Sequence, residues 1–307
     1  MRIIFMGTPE FAVPSLRILL ENGINISSVV TVPDKRMGRG LQISYSKVKD
    51  FALTNNLNIL QPESLTDPEF INQITSQNPD LIIIVAFRIL PTDIINIPKY
   101  GTINLHASLL PKYRGAAPIS RAIINGDNET GLTTFFIKQK VDTGNVILQK
   151  RIQILEDEDF GSLYSRLSEE GAQLLLETVN IISSGKYKLI EQDESLASPA
   201  PKIFKEDCKI NWNKESIIIH NLVRGLSPIP GAFCLYENKT LKLFKSKLSN
   251  IKSDSVPGKL IVQGKSIFVN TTDNFIEILE LQLEGKKRVK SFEFINAIPK
   301  NKEIFLK

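Results

Sequence analysis

Residues 81–111 read LIIIVAFRILPTDIINIPKYGTINLHASLLP. Two β-branched apolar runs, LIIIVAF (81–87) and TINLH (102–106), flank a segment punctuated by proline and glycine. Near-continuous apolar runs of this length suit strands covered on both faces. Working outward, IIFMG (3–7) and SSVVTV (27–32) are of the same kind. Amphipathic patterns lie between them: Phe11, Leu16, Leu19 and Leu20, then Val48, Phe51 and Ala52, then Phe70, Ile71 and Ile74. Strand, helix, strand repeats of this sort predict a mostly parallel sheet with right-handed crossovers, a Rossmann-like α/β domain. Ligands of such sheets collect beyond the carboxyl ends of the strands, where His106 falls if 102–106 is a strand.

A dinucleotide site is not expected, because Gly7 is followed by TPEF rather than by further glycines. The glycines of KRMGRG (35–40) lack the Lys-Ser/Thr of a phosphate-binding loop and instead loosen the chain around Arg36 and Arg39. A long helix is predicted over 159–184, stopped by Gly185. Beyond it, EQDESLASPAPKIFKED (191–207) has no periodicity and reads as a linker. NKESIIIHNLVRGL (213–226) predicts one helix, and past Gly231 short alternating strands predict a small, OB-like antiparallel β-barrel. The expected organisation is therefore an α/β domain over 1–189, a linker over 190–205 and a barrel domain over 206–307.

Composition narrows the function classes. With 42% hydrophobic and 23% charged residues in 307, and no apolar run long enough to span a bilayer, the chain reads as a globular protein without a membrane anchor. MRIIFMGTPEF begins as a strand and has no signal-peptide architecture, so a cytoplasmic location is expected. Cys208 and Cys234 lie far apart without metal-like spacing and are expected to be reduced and structural, with no metal. The net charge of +5 is unevenly spread: residues 1–201 hold 19 Lys/Arg against 22 Asp/Glu, whereas residues 202–307 hold 19 against 11. A basic C-terminal third is either a lysine-rich solvated surface or a module that approaches a polyanion such as RNA.

Asn104 and His106 are two apart on a predicted strand, so their side chains share one side. The SLLPKYRG that follows forces an irregular loop at the ligand edge, and VDTGNV (141–146) puts Asp142 in a turn between apolar strands. An amide-like donor attacked by an amine develops an oxyanion and a cationic nitrogen. Asn104 and His106 could donate hydrogen bonds to the first and Asp142 could accept the proton of the second. No nucleophilic Ser, Cys or Lys is required.

NLHASLLPKYRGAAPI (104–119), with DTG at 142–144, resembles the signature of the 10-formyltetrahydrofolate-dependent formyltransferases. MRIIFMGTPEFAVPSL, VPDKRMGRG, INW and LVRGLSPIPGA extend the likeness collinearly along the chain, to the branch of that family whose acceptor is methionine on initiator tRNA. The resemblance implies Asn104, His106 and Asp142 as the catalytic trio. It implies Ser108, Leu109, Leu110 and Pro111 as the tetrahydrofolate-binding loop, with Phe87 as an apolar wall for the pterin. Arg39, with Arg36, matches a mobile basic loop that enters the acceptor stem. The formyl donor would be 10-formyltetrahydrofolate and the partner initiator methionyl-tRNA, met by a monomer. One departure stands out: Phe87-Arg88 occupies the place where many relatives have Tyr-Gly, which sets a charged side chain at the pocket rim. A sugar-nucleotide acceptor, or a non-catalytic RNA-binding module, are the alternative readings.

Overall fold

The computed structural model describes residues 1–37, 42–253, 255–299 and 302–307. Its first sheet contains β1 (Arg2–Gly7), β2 (Asn25–Val30), β3 (Ile59–Leu60), β4 (Leu81–Val85), β5 (Thr102–His106), β6 (Glu129–Phe136) and β7 (Val146–Gln153), in the order β7-β6-β5-β4-β1-β2-β3. Pairing is parallel from β5 across to β3, and β6 lies antiparallel to β5. All five residues of β4 are buried, which accounts for a run with no polar alternation.

The amphipathic segments form helices at Val13–Glu21, Lys47–Thr54 and Pro68–Ser76. Two of them have side-chain caps: Ser46 accepts from the Lys49 amide and Asp67 from the Glu69 amide, both at 3.0 Å. Phe70 and Ile74 of the third pack with Ile4, Met6, Val30, Ile82 and Ile84 in the core. β4 stops at Val85, two residues before the apolar run ends, where Ala86 takes a left-handed φ of 50°. β2 begins and ends two residues earlier than its apolar run suggests.

The long helix runs Phe160–Ser184, and Gly185 follows at φ 67°. The segment after it is not a bare connector. Ile190 and Val146 exchange both backbone hydrogen bonds, at 2.8 and 3.0 Å. Glu194–Leu196 form a 3-10 turn, and Pro199–Ala200 pair in parallel with Arg114–Gly115.

The chain makes two compact units, one of residues 1–115, 130–152 and 164–200, the other of residues 116–129, 153–163 and 201–307. In the second unit, β8 (Ala232–Tyr236), β9 (Lys239–Lys252), β10 (Lys259–Gln263), β11 (Ser266–Asn270), β12 (Asn274–Leu283) and β13 (Ile304–Phe305) form an antiparallel sheet in the order β8-β9-β12-β11-β10-β13. Leu235 of β8 and Lys307, just past β13, exchange backbone hydrogen bonds of 2.7 and 3.1 Å, which joins the two edges into a barrel. Trp212, Ile219, Val223, Leu243 and Ile278 lie in its core. Helix Ser216–Gly225 starts on Asp273, whose carboxylate accepts from the Ser216 amide at 2.8 Å and hydroxyl at 3.1 Å. Cys208 and Cys234 are free and buried, and burial pushes the Cys234 thiol up to about 12. Among the described residues no helix is long and apolar enough to cross a membrane.

Candidate active site

β5 ends at the carboxyl edge of the sheet with Asn104 and His106 one pleat apart. His106 is buried, and its two ring nitrogens face oxygens: Nε2 lies 2.8 Å from the Tyr113 carbonyl and Nδ1 lies 3.8 Å from Oδ2 of Asp142. A carbonyl can only accept, so Nε2 carries a hydrogen. The Nδ1 to Oδ2 gap is too long for a direct hydrogen bond and leaves both atoms in reach of a group placed alongside them. Oδ2 of Asp142 also accepts the Gly115 amide at 2.9 Å.

The turn that delivers Asp142 is under tight steric control. Asp142 itself has φ 54°, in the left-handed region that aspartate enters more readily than most residues with a side chain. At Gly144 an added Cβ would fall 1.5 Å from the Phe136 carbonyl oxygen, so no other residue fits. Gly115, at φ 125°, brings its backbone against Ala200, where a Cβ would meet the carbonyl oxygen at 2.7 Å.

Asn104 is bracketed by Ile84 on β4 and Phe135 on β6. Its Oδ1 is buried without a hydrogen-bond partner, an unusual state for an amide at a strand end. That oxygen can only accept, and the amide nitrogen is the atom of this side chain that can donate.

Ser108 to Pro111 are bound to the sheet. The Ser108 hydroxyl donates to Lys112 O at 2.6 Å, while Thr133 Oγ1 donates to Ser108 O at 2.7 Å and accepts from the Leu110 amide at 3.1 Å. Gln149 Nε2 donates to Leu110 O at 2.7 Å. The Leu109 side chain lies over Gly131, with its Cδ2 2.4 Å from where a Cβ on that glycine would stand. Ser108 and Leu109 thus attach the loop through their side chains, and Leu110 through its backbone.

Phe87 is half-buried against the sheet core. The Arg88 guanidinium donates to Glu63 O at 3.0 Å and Pro62 O at 2.8 Å, and lies 5.3 Å from the Phe87 ring centre. Burial lowers its pKa from the ordinary arginine value. The charge introduced by this chain's Phe-Arg pair is absorbed by backbone carbonyls.

Lys35–Met37 and Gln42–Ser44 pair antiparallel, with Arg36 opposite Ile43. Arg39 lies outside the described residues. The start of this segment is anchored by Asp34, which takes Lys49 Nζ at 2.6 Å and Gln61 Nε2 at 2.9 Å. The hydrogen bond from Gln61, then that from Lys49, hold the Asp34 carboxyl below its ordinary value.

Sequence spacing draws no attention to Thr133, Gln149, Tyr113 or Gln192, which organise these loops. Three of them act through hydrogen bonds across long sequence separations, and the fourth, Tyr113, through a backbone carbonyl that any residue type would present.

A histidine and a carboxamide on one strand and a carboxylate from a turn thus gather at the carboxyl edge of the sheet. Residues 1–179 match the formyl transferase family and residues 202–299 match the formyl transferase C-terminal domain. The chain belongs to the formyl transferase family. Its relatives include the methionyl-tRNA formyltransferase of Bacteroides fragilis, 47% identical over 97% of this chain and 95% of that protein. The methionyl-tRNA formyltransferase of Flavobacterium johnsoniae is 46% identical, over 97% and 96%. Among solved structures, WlaRD, a sugar 3N-formyl transferase crystallised in the presence of dTDP and 5-N-formyl-THF, is 25% identical, with a TM-score of 0.69 over 94% of this chain and 99% of that one.

Proposed function

We propose that this protein transfers the formyl group of 10-formyltetrahydrofolate to the α-amine of methionine on initiator methionyl-tRNA. The observation that carries the reading is the facing of His106 and Asp142 at the end of the strand that also bears Asn104, whose amide nitrogen is a donor, in a chain alike over nearly its whole length to enzymes named for that reaction. The amine nitrogen attacks the formyl carbon, a new C–N bond forms, and the carbonyl oxygen becomes an oxyanion. The Asn104 amide donates to that oxyanion. Asp142 takes the proton that the attacking nitrogen loses. Because Nε2 of His106 is committed to Tyr113, a proton passed by this ring to the reacting groups leaves from Nδ1, on the Asp142 side. The bond to N10 then breaks, N10 takes up a proton, and tetrahydrofolate and formylmethionyl-tRNA are released.

For the donor, Phe87 offers an apolar wall and Pro111 remains a half-buried contact at the loop end. Ser108, Leu109 and Leu110 shape the donor site through their attachment to the sheet. Functionally, residues 1–189 would carry catalysis, 190–205 would connect, and 206–307 would hold tRNA. The lysine surplus of the last segment supplies phosphate contacts, and Arg36 and Arg39 contact the acceptor stem. On this reading the active species is a monomer, working in the cytoplasm where charged tRNA is made.

The test is a formyl-transfer assay with charged initiator tRNA, charged elongator methionine tRNA and an amino-sugar nucleotide in parallel. Transfer confined to the initiator supports the reading. Transfer to the sugar nucleotide alone overturns it. Affinity for tRNA should also fall steeply with salt, as counterions are released from each neutralised phosphate.

A further inference from the structure

A polar cluster of the first unit takes no part in that reaction. Gln192, in the segment after the long helix, employs its entire carboxamide. Its Nε2 donates to Asp142 O at 2.9 Å and to Gly144 O at 2.8 Å, so one amide grips both ends of the turn that carries the acid. Its Oε1 accepts from Arg114 Nε at 3.1 Å and Nη2 at 2.7 Å. Arg114 also forms a two-pronged pair with Glu194, at 2.9 and 2.7 Å. The guanidinium has only donors and the turn offers only carbonyls, so the amide can sit one way round and no other.

The same segment holds the opposite loop. Ser198 Oγ accepts the Tyr113 amide at 2.9 Å, and Ser198 O accepts the Arg114 amide at 2.9 Å. Tyr113 is the residue whose carbonyl meets His106, and Gly115, one residue past Arg114, gives its amide to Asp142. Residues 192–198 therefore tie together the two loops from which the histidine and the carboxylate are held. The two gripped carbonyls bracket the turn in which Asp142 sits at φ 54°.

We propose that Gln192, kept in orientation by Arg114, is the positioning residue for the Asp142 carboxylate. It touches no reacting atom; it sets where the acid stands relative to Nδ1 of His106. This inference rests on the reading of Asp142 as the proton acceptor.

The experiment uses the full chain and compares the parent with Gln192→Glu, Asp142→Asn and the double variant. Gln192→Glu keeps the length and the acceptor for Arg114 but turns an oxygen toward the two carbonyls. The expected result is a kcat lower by roughly 10- to 100-fold, since small misplacements of a catalytic group have effects of that order. KM values for 10-formyltetrahydrofolate and for methionyl-tRNA should stay within about threefold, and Tm within a few degrees. In single-turnover assays, adding Gln192→Glu to Asp142→Asn should lower the residual rate by less than about twofold, because the group being positioned is already gone. Additive losses, an unchanged kcat in Gln192→Glu, or a rise in both KM values with kcat intact would each overturn the proposal. If Gln192→Glu does not fold, Arg114→Lys, which loses the two-pronged grip on Oε1, takes its place with the same expectations. An Asp142→Asn variant of parental activity would sink the assignment of Asp142 itself, whatever the Gln192 variant does. A dead Asp142→Asn beside a parental Gln192→Glu would sink only the positioning role.

Discussion

Oδ2 of Asp142 stands 3.8 Å from Nδ1 of His106 while accepting the Gly115 amide at 2.9 Å. One carboxylate oxygen thus links the strand that bears the histidine to the loop that follows it. The amide fixes the carboxylate, and the side facing the imidazole stays available for a reacting group. Both side chains are nearly enclosed, about 8% and 10% exposed, so charge developing between them is poorly screened.

Asp142→Asn preserves the shape and an oxygen for Gly115 but removes the charge and the proton acceptor. Single-turnover formyl transfer should fall by about 100-fold or more, within the range for loss of a general base, while methionyl-tRNA still binds. A variant within about threefold of the parent would make Asp142 a turn residue only.

Asn104→Ala removes a carboxamide whose oxygen has no partner, so folding loses little hydrogen bonding at that atom. The chemical step should slow by roughly 100- to 1000-fold, as for loss of an oxyanion donor, with donor affinity nearly unchanged. Equal losses in donor binding and turnover would identify a structural amide instead.

Gly144→Ala drives a methyl group into the Phe136 carbonyl, 1.5 Å away. Since the obstacle is strand backbone, the turn must yield and move Asp142 with it. The expected outcome is loss of activity together with a lowered Tm, read by thermal melts and formyl transfer on the same sample. Parental values for both would show that the turn has room to rearrange.

Acid should weaken the barrel in two stages. His220 is buried against Ser246 Oγ at 3.0 Å, and burial, with the nearby Arg224 charge, lowers its pKa below the ordinary 6.5 against a smaller opposing pull from Asp157. Its neutral form is the favoured folded form, so this contribution is whole above pH about 6.5 and is lost as pH falls through the lowered folded value. Asp273 follows: burial raises its pKa, but hydrogen bonds from Ser216, Thr271 and Asn274 outweigh that and bring it to about 2. Its contribution is whole above pH 3.8 and disappears as pH falls toward about 2. In melts against pH, His220→Gln should flatten the upper stage and leave the lower one. An unchanged upper slope would mean that another group titrates there.

The amino-acid sequence by itself determined the element types. LIIIVAF and TINLH announce buried strands because apolar β-branched runs need cover on both faces, and the helical spacing of Phe70 and Ile74 names the face that meets them. The residue pair at 104 and 106 was also legible, since alternation along a strand is local. Other features were decided only by tertiary structure. The run 81–87 ends early because Ala86 turns left-handed where the chain leaves the sheet. Arg88, which looked like an intrusion at the rim, is disposed of by two carbonyls near residue 62. The stretch 191–207 has no periodicity, yet Gln192 reaches a turn 50 residues earlier in the chain to hold the Asp142 carbonyl. Hydrophobic periodicity records which side of an element is covered, whereas a hydrogen bond between distant residues leaves no period in either segment. It comes into being only when the sheet and its loops bring the two together.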